Sequence, residues 1–329
     1  MEKLANDIRY RLLSLNFLGA YVTTMRPYLL FVSGITGAVG MSFVADISAA
    51  KAFSIFIASF LSYGFGQALT DCFQVDTDSL SSPYRPLTKG LVSKTHILVV
   101  SILGLICCVS VFAAYNPFNL FVGLASGIGL ATYTPFKRRW WAGPFYNAWI
   151  VVALCVMAAG TGEGKFSGLQ SFSFDLVLLT VFFGYANFVL AGYFKDIDAD
   201  RQTAYYTLPV VFGRKISAIA SDAFAGLTLA SVGLYAAHVI DSKLDIGSLA
   251  GAGLLIFAGA FALVAAQIQL HRVRTDEDAH PAIALVVHGY ILTLAGMSCL
   301  QKPDWTPFII LFYSAFVLVL KSRPAQNQI

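Results

Sequence analysis

Apolar stretches long enough to cross a bilayer recur from one end of this chain to the other, and no other feature limits its fold so tightly. A transmembrane helix needs about 17–25 mostly apolar residues. Ten stretches qualify, roughly 27–45, 52–72, 96–114, 117–134, 144–160, 174–194, 217–239, 248–268, 282–300 and 304–320, the last flanked by Pro303 and Pro307. Length alone would suggest two soluble domains. The recurrence overrides that, and so does the charge content, 12% of 329 residues against about a quarter in a soluble domain. The expectation is an all-α polytopic bundle of nine to ten spans. The net charge of +4 is modest, and no Lys/Arg run points to nucleic acid. The first ~16 residues are mixed and basic, so the first long apolar run reads as span one and not as a cleavable signal. The five cysteines show no metal or redox spacing and read as packing residues.

Loop charges orient the bundle. With the N-terminus in the cytoplasm, Lys3, Arg9, Arg11, Arg26, Arg85, Lys89, Lys94, Lys137, Arg138, Arg139, Lys195, Arg201, Arg214, Lys215, Arg272, Arg274, Lys321 and Arg323 fall on the cytoplasmic side. Only Lys51, Lys165, Lys243 and Lys302 fall on the other. This 18-to-4 asymmetry is the positive-inside pattern, and one missed helix would scramble it.

The longest polar segments are two loops on the cytoplasmic side, roughly 73–95 and 195–216, and acids gather there. Asp71, Asp76 and Asp78 mark the first; Asp196, Asp198 and Asp200 mark the second. Each cluster begins where a predicted span ends, with Arg85 and Lys89 or Arg201, Arg214 and Lys215 downstream. Clustered carboxylates repel unless a cation joins them. Hard oxygen donors suit Mg²⁺, which binds one or two carboxylates plus substrate phosphates, and the flanking bases suit phosphate oxygens. The pattern points to a lipid diphosphate; two solvated, charge-balanced loops remain the alternative. If span two continues through its cluster as a helix, Asp71 and Asp78 share a face and Asp76 lies about 140° away. Asp196 and Asp200 share a face; Asp198 does not. The expected metal ligands are therefore Asp71, Asp78, Asp196 and Asp200, with Asp76 joining if the helix unwinds.

A third cytoplasmic loop follows Tyr133 and carries Lys137, Arg138, Arg139, Trp140 and Trp141. Lys137 suits a phosphate clamp and Tyr133 a hydrogen bond to phosphate, while an interfacial aromatic belt explains the same residues. Asn147, Asn187 and Gln67 lie inside predicted spans, as cavity wall or as interhelical hydrogen-bonding groups. Asp222, one turn into span seven, is either a proton acceptor or a snorkelling or capping group. His238 and His288 read as packing or interface histidines.

At these residues the chain resembles the UbiA superfamily of intramembrane prenyltransferases. TDCFQVDTDSLSSPYRPLTKG (70–90) looks like that family's first aspartate-rich motif with its Tyr-Arg-Pro tail, and YFKDIDADRQTAYYTLPVVFG (193–213) looks like the second. Tyr133 and Lys137 match its Tyr-x-x-x-Lys, and Arg26-Pro27 fits ahead of span one. The compact tail is closer to the chlorophyll-synthase and archaeal-lipid branches than to the hydroxybenzoate branch. The resemblance covers residues ~20–300 of a single domain 1–329, leaving 301–329 as an additional span and tail. It departs from the first motif, Asn-Asp-x-x-Asp-x-x-x-Asp, by placing Thr70 at the Asn and Gln74 at the middle Asp, so one carboxylate is replaced by an amide.

The resemblance implies a bundle around a central cavity capped by the acidic loops. It implies Mg²⁺-dependent transfer of a prenyl group from an isoprenyl diphosphate, through an allylic carbocation, to a hydrophobic aromatic or alcohol acceptor within the membrane. Asp71, Asp78, Asp196 and Asp200 would hold metal, helped by Gln74 or Asp76. Arg85, Lys137, Tyr133, Lys195 and Arg201 would meet diphosphate, with Thr70 and Gln74 also at the donor and Asn147 and Asn187 on the cavity wall. Rival readings are a membrane terpene cyclase of the same superfamily, a non-catalytic isoprenoid binder and a transporter.

Overall fold

The computed structural model describes residues 9–162, 171–240 and 246–322. Lys3, Lys165, Lys243 and Arg323, four of the charges used for orientation, lie outside the described residues, as do both termini. Among the described residues every regular element is helical: α1 (Leu15–Met25), α2 (Leu30–Met41), α3 (Ala49–Asp71), α4 (Val75–Ser81), α5 (Lys94–Tyr115), α6 (Asn119–Lys137), α7 (Gly143–Ala159), α8 (Phe172–Tyr193), α9 (Ile197–Gln202), α10 (Leu208–Ile240), α11 (Ile246–Leu270), α12 (His280–Gln301) and α13 (Thr306–Ser322), with short 3₁₀ turns between some of them.

A helix occupies each of the ten apolar stretches. Seven described helical segments, in α3, α5, α8, α10, α11, α12 and α13, are long and apolar enough to cross a membrane by length and composition. α2 with its leading turn and α7 are apolar but shorter. In lipid a backbone must satisfy its own polar groups, and these helices do so; this is the build of a multi-pass integral membrane protein.

Three helices were not expected. α1 is capped by Ser14, whose Oγ accepts from the Phe17 amide at 3.2 Å, and it ends where Arg26 turns left-handed (φ 54°) before Pro27. α4 and α9 lie inside the two acidic loops, which corrects the idea that span two runs on through its acids. The helix stops at Asp71, the chain turns through Cys72–Gln74, and α4 starts afresh. At the membrane boundary water satisfies freed backbone groups, so a break is tolerated there, and it lets α4 fold back onto α9.

Consecutive long helices pack side by side in a ring, from α2–α3 through α7–α8 and α8–α10 to α11–α12, and α12 closes it on α2. α2 also meets α7, and α12 meets α8, across the bundle. Every residue of α2 is buried, and most of α12. Gly37 and Gly40 permit this crowding. A Cβ on Gly37 would collide with the Ser59 side chain of α3, and one on Gly40 with the Cys155 carbonyl of α7. Thr36 and Tyr290 hydroxyls, 2.7 Å apart, tie α2 to α12. α13 sits outside, burying only Ile309, Phe312 and Phe316; Phe312 packs on Phe31 and Phe56, with ring centroids 4.9 and 5.7 Å apart.

The ring has chemically distinct ends. The C-terminal ends of α3, α6 and α8 gather with α4 and α9 at one end, where Arg26, Asp71, Arg85, Lys137 and Lys195 face a common pocket. The described far-side lysines sit at the other: Lys302 donates to the Ala45 carbonyl at 2.7 Å, and Lys51 lies 4.9 Å over the Tyr115 ring.

Candidate active site at the mouth of the bundle

Two cavities meet at the polar end. The outer one, about 730 Å³ including its mouth, is lined by charged and polar groups of α3, α4, α6, α8 and the loops between them. The inner one, about 790 Å³ including its mouth, runs between α3, α5, α6 and α7 and is mainly aliphatic, aromatic and glycine-walled. Tyr63, Gln67, Thr70, Asn147 and Tyr185 line both.

The last turn of α3 delivers Asp71, which is buried and fully engaged. It accepts from Arg26 at 3.0 and 3.3 Å and from Gln67 Nε2 at 2.6 Å. After the helix break, α4 brings Asp78 back to the same place. Arg85 Nη1 lies 2.6 Å from Asp78 and 3.8 Å from Asp71, as an ion-pair contact without an aligned hydrogen bond. Arg85 thus joins the two acids that the helical-face argument paired, by a different backbone route. Burial raises the Asp78 carboxyl above its ordinary pKa despite Arg85. Burial works against the Arg85 charge too, but Asp78 and Asp71 outweigh it and raise its pKa.

The second loop faces the first. Asp196 occupies the N-cap position of α9 but makes no side-chain cap bond; Lys195 Nζ lies 2.8 and 3.0 Å from its oxygens. Burial opposes the Asp196 charge, but Lys195 and Lys137 overcome it and hold the carboxyl at about 2. Asp200, one turn on, is wholly buried and joins the loops: it accepts from Thr77 of α4 at 3.1 Å and from Thr207 at 3.3 Å. Burial pushes Asp200 up to about 6, with Lys137 pulling against it and Asp196 adding to it.

Lys137 stands between the two clusters. Its Nζ donates to Gln74 Oε1 at 3.0 Å, lies 3.6 Å from Asp200, and sits over the Tyr193 and Tyr205 rings at 5.6 and 5.0 Å. Tyr133, one helical turn back on α6, shares a 2.9 Å hydrogen bond with the Tyr193 hydroxyl. The structure therefore gathers Thr70, Asp71, Gln74, Asp78, Arg85, Tyr133, Lys137, Asn147, Lys195 and Asp196 on one pocket, with Asp200 directly behind Lys137.

Three sequence candidates are not brought in. Asp76 turns outward, accepting from Arg138 at 2.8 Å and Tyr205 at 3.0 Å. Arg201 is exposed and paired with Asp198 at 3.3 Å. Asn187 is buried between α8 and α10, where it accepts from Ser221 at 2.6 Å. Asp222 also takes the structural role, pairing with His271 at 2.7 Å on the surface. Thr77, Tyr193 and Tyr205 carried no motif signal. Arg26 was marked only by the Arg-Pro pattern.

Oxygen donors are thus offered as pairs, each beside a cation. Among the described residues no three of His, Cys, Asp and Glu converge into one metal cage. Asp71, Asp78 and Asp196 line the pocket as hard oxygen donors of the kind that suits Mg²⁺ when phosphate oxygens complete the shell, while both Asp200 oxygens are taken by Thr77 and Thr207.

The fold agrees with what the chain is similar to. Digeranylgeranylglyceryl phosphate synthase of Methanothermobacter thermautotrophicus is 24% identical over 84% of this chain and 99% of its own length. Chlorophyll synthase of Avena sativa is 27% identical over 52% of this chain. The chain spans about half the length of the chlorophyll synthases it matches, 47% in that case. A UbiA homolog from Archaeoglobus fulgidus, solved with GPP and Mg²⁺, shares the fold with a TM-score of 0.58 at 17% identity, over 85% of this chain and 99% of that one. The model of the UbiA prenyltransferase family matches residues 30–295, and the chain belongs to that family.

Proposed function

We propose that this protein transfers a prenyl group from an isoprenyl diphosphate to a lipophilic aromatic or alcohol acceptor inside the membrane. The observation that carries this reading is that the two cavities are neighbours. A pocket ringed by Arg26, Arg85, Lys137 and Lys195 adjoins an apolar chamber, the two sharing the lining residues Tyr63, Gln67, Thr70, Asn147 and Tyr185. A molecule that is doubly anionic at one end and hydrocarbon at the other matches both.

The diphosphate is held by Arg85, Lys137, Lys195 and Arg26, with Tyr133 and Tyr193 as hydroxyl donors at its edge. Asp71, Asp78 and Asp196, with Asp200 behind them, would hold Mg²⁺, and Gln74 would offer a carbonyl oxygen. The bound ion supplies further neutralisation of charge on the departing diphosphate. Lys137 and Arg85 serve the same end: they are fixed before reaction, so they stabilise the developing negative charge without reorganising. As the allylic C–O bond breaks, the apolar walls keep water from the cation, and the acceptor attacks it. The acidic loops face the cytoplasm in this reading, and the phosphorylated donor enters from there.

The test is incubation of the membrane-reconstituted protein with an allylic diphosphate and Mg²⁺, with and without a panel of lipophilic aromatic and alcohol acceptors. Diphosphate release that depends on an acceptor, with a prenylated product, is the expected result. Release of diphosphate and a hydrocarbon without acceptor would make it a cyclase. Binding without release under all conditions would make it a non-catalytic isoprenoid binder.

A further inference from the structure

The structure places a further acidic residue behind the second loop, in a segment that neither motif contains. Asp276 lies in the turn between α11 and α12. This turn is braced by Asp278, whose carboxylate accepts from the Arg274 and Thr275 amides at 3.2 and 2.8 Å. The Asp276 side chain makes no cap bond to its own 3₁₀ turn. One oxygen instead accepts from the backbone amide of Asp198 at 2.8 Å; the other pairs with Arg214, just after the Gly213 kink (φ 77°) of α10.

Asp198 is the second residue of α9, so its amide is one of the donors that a helix N-terminus leaves without an intrahelical partner. An aspartate at the N-cap ordinarily satisfies that donor with its own carboxylate. Here the N-cap residue is Asp196, and it makes no such bond. Its oxygens turn to Lys195 and to the pocket. We infer that Asp276 is a positioning residue: it caps α9 from another part of the chain and thereby leaves the Asp196 carboxylate free for the diphosphate site. This rests on the prenyltransferase reading, because Asp196 is there a metal-holding group. Without Asp276, the orphaned amide is left to water and to the Asp196 carboxylate at the N-cap, and capture of Asp196 would pull it off the pocket.

Two substitutions separate capping from charge. Asp276→Asn keeps a good cap and loses the charge opposite Arg214. Asp276→Glu keeps the charge, but its extra methylene moves the carboxylate out of register with the Asp198 amide. The measurement is Mn²⁺ binding by electron paramagnetic resonance to the full chain in nanodiscs, with inorganic pyrophosphate present. Asp276→Glu is expected to weaken Mn²⁺ binding about tenfold, the usual scale for losing a group that orients a ligand. Asp276→Asn is expected to stay within about twofold of the parent. If Asp276→Glu binds Mn²⁺ as the parent does, or if Asp276→Asn loses as much as Asp276→Glu, the capping role is overturned while the parent's binding leaves the metal reading standing. A parent chain that binds no Mn²⁺ overturns the metal reading and this inference together.

Discussion

At the scale of single residues, Gln74 is the departure with chemical consequence. A carboxylate at this position would sit beside Lys137, which now donates to the amide oxygen at 3.0 Å. A neutral carbonyl gives a cation less Coulomb attraction than a carboxylate. Gln74→Asp is therefore expected to lower the Mg²⁺ concentration for half-maximal turnover by about threefold or more, in a metal titration at fixed donor. Asp76 faces Arg138 and Tyr205 and lies off the pocket. Asp76→Asn should leave the same titration unchanged, and a raised Mg²⁺ requirement in that variant would show that Asp76 reaches the metal after all. The helical-face argument put Asp196 and Asp200 together, but only Asp196 lines the pocket, with Asp200 set behind it on Thr77 and Thr207. The matching argument for Asp71 and Asp78 paired two residues that do share the pocket, though a helix break and not a continuous helix brings them there. Sequence spacing holds no record of a helix break at Cys72–Gln74, nor of Arg85 reaching across it.

Among the elements, α6 carries the clearest division of labour. Its C-terminal turn supplies Tyr133 and Lys137 to the polar pocket, while Gly123, Ser126, Gly127 and Leu130 line the apolar chamber. α6 was legible as an apolar span, but the partners of its glycines were not, because helix neighbours are set by ring closure and not by local pattern. The two chamber-lining glycines of α6 differ in kind. A Cβ on Gly123 would run into Val109 of α5, so this glycine serves helix contact. A Cβ on Gly127 would meet nothing within 4 Å. Gly127→Leu should thus project into the space assigned to the donor chain without disturbing the α5–α6 seam. Turnover with a twenty-carbon allylic diphosphate is expected to fall about tenfold relative to a ten-carbon one, as a few lost methylene contacts in a hydrophobic pocket would require. Equal losses with both donors would place the chain elsewhere.

For the whole molecule, the two ends of the ring differ in charge before any membrane is considered. At the acidic end Arg26, Arg85, Lys137 and Lys195 sit in ion pairs around the polar pocket, while Lys51 and Lys302 are the described lysines of the opposite end. An insertion machinery that retains Lys/Arg-rich loops on the cytoplasmic side would leave both acidic loops there. Moving them to the other face would require the loops bearing Arg85, Lys137, Arg138, Arg139 and Lys195 to cross the bilayer. The prediction is tested by single cysteines in a background lacking the native ones: Ser79→Cys on α4, Gln202→Cys at the end of α9, and Ala50→Cys at the start of α3, all at exposed positions. In sealed right-side-out vesicles, a membrane-impermeant maleimide is expected to label position 50 at once, and positions 79 and 202 only after the membrane is opened. Labelling of 79 and 202 together from outside would invert the topology and put the donor site on the far face. Labelling of one without the other would break the pairing of the two loops, which the Thr77–Asp200 hydrogen bond requires to lie on one side.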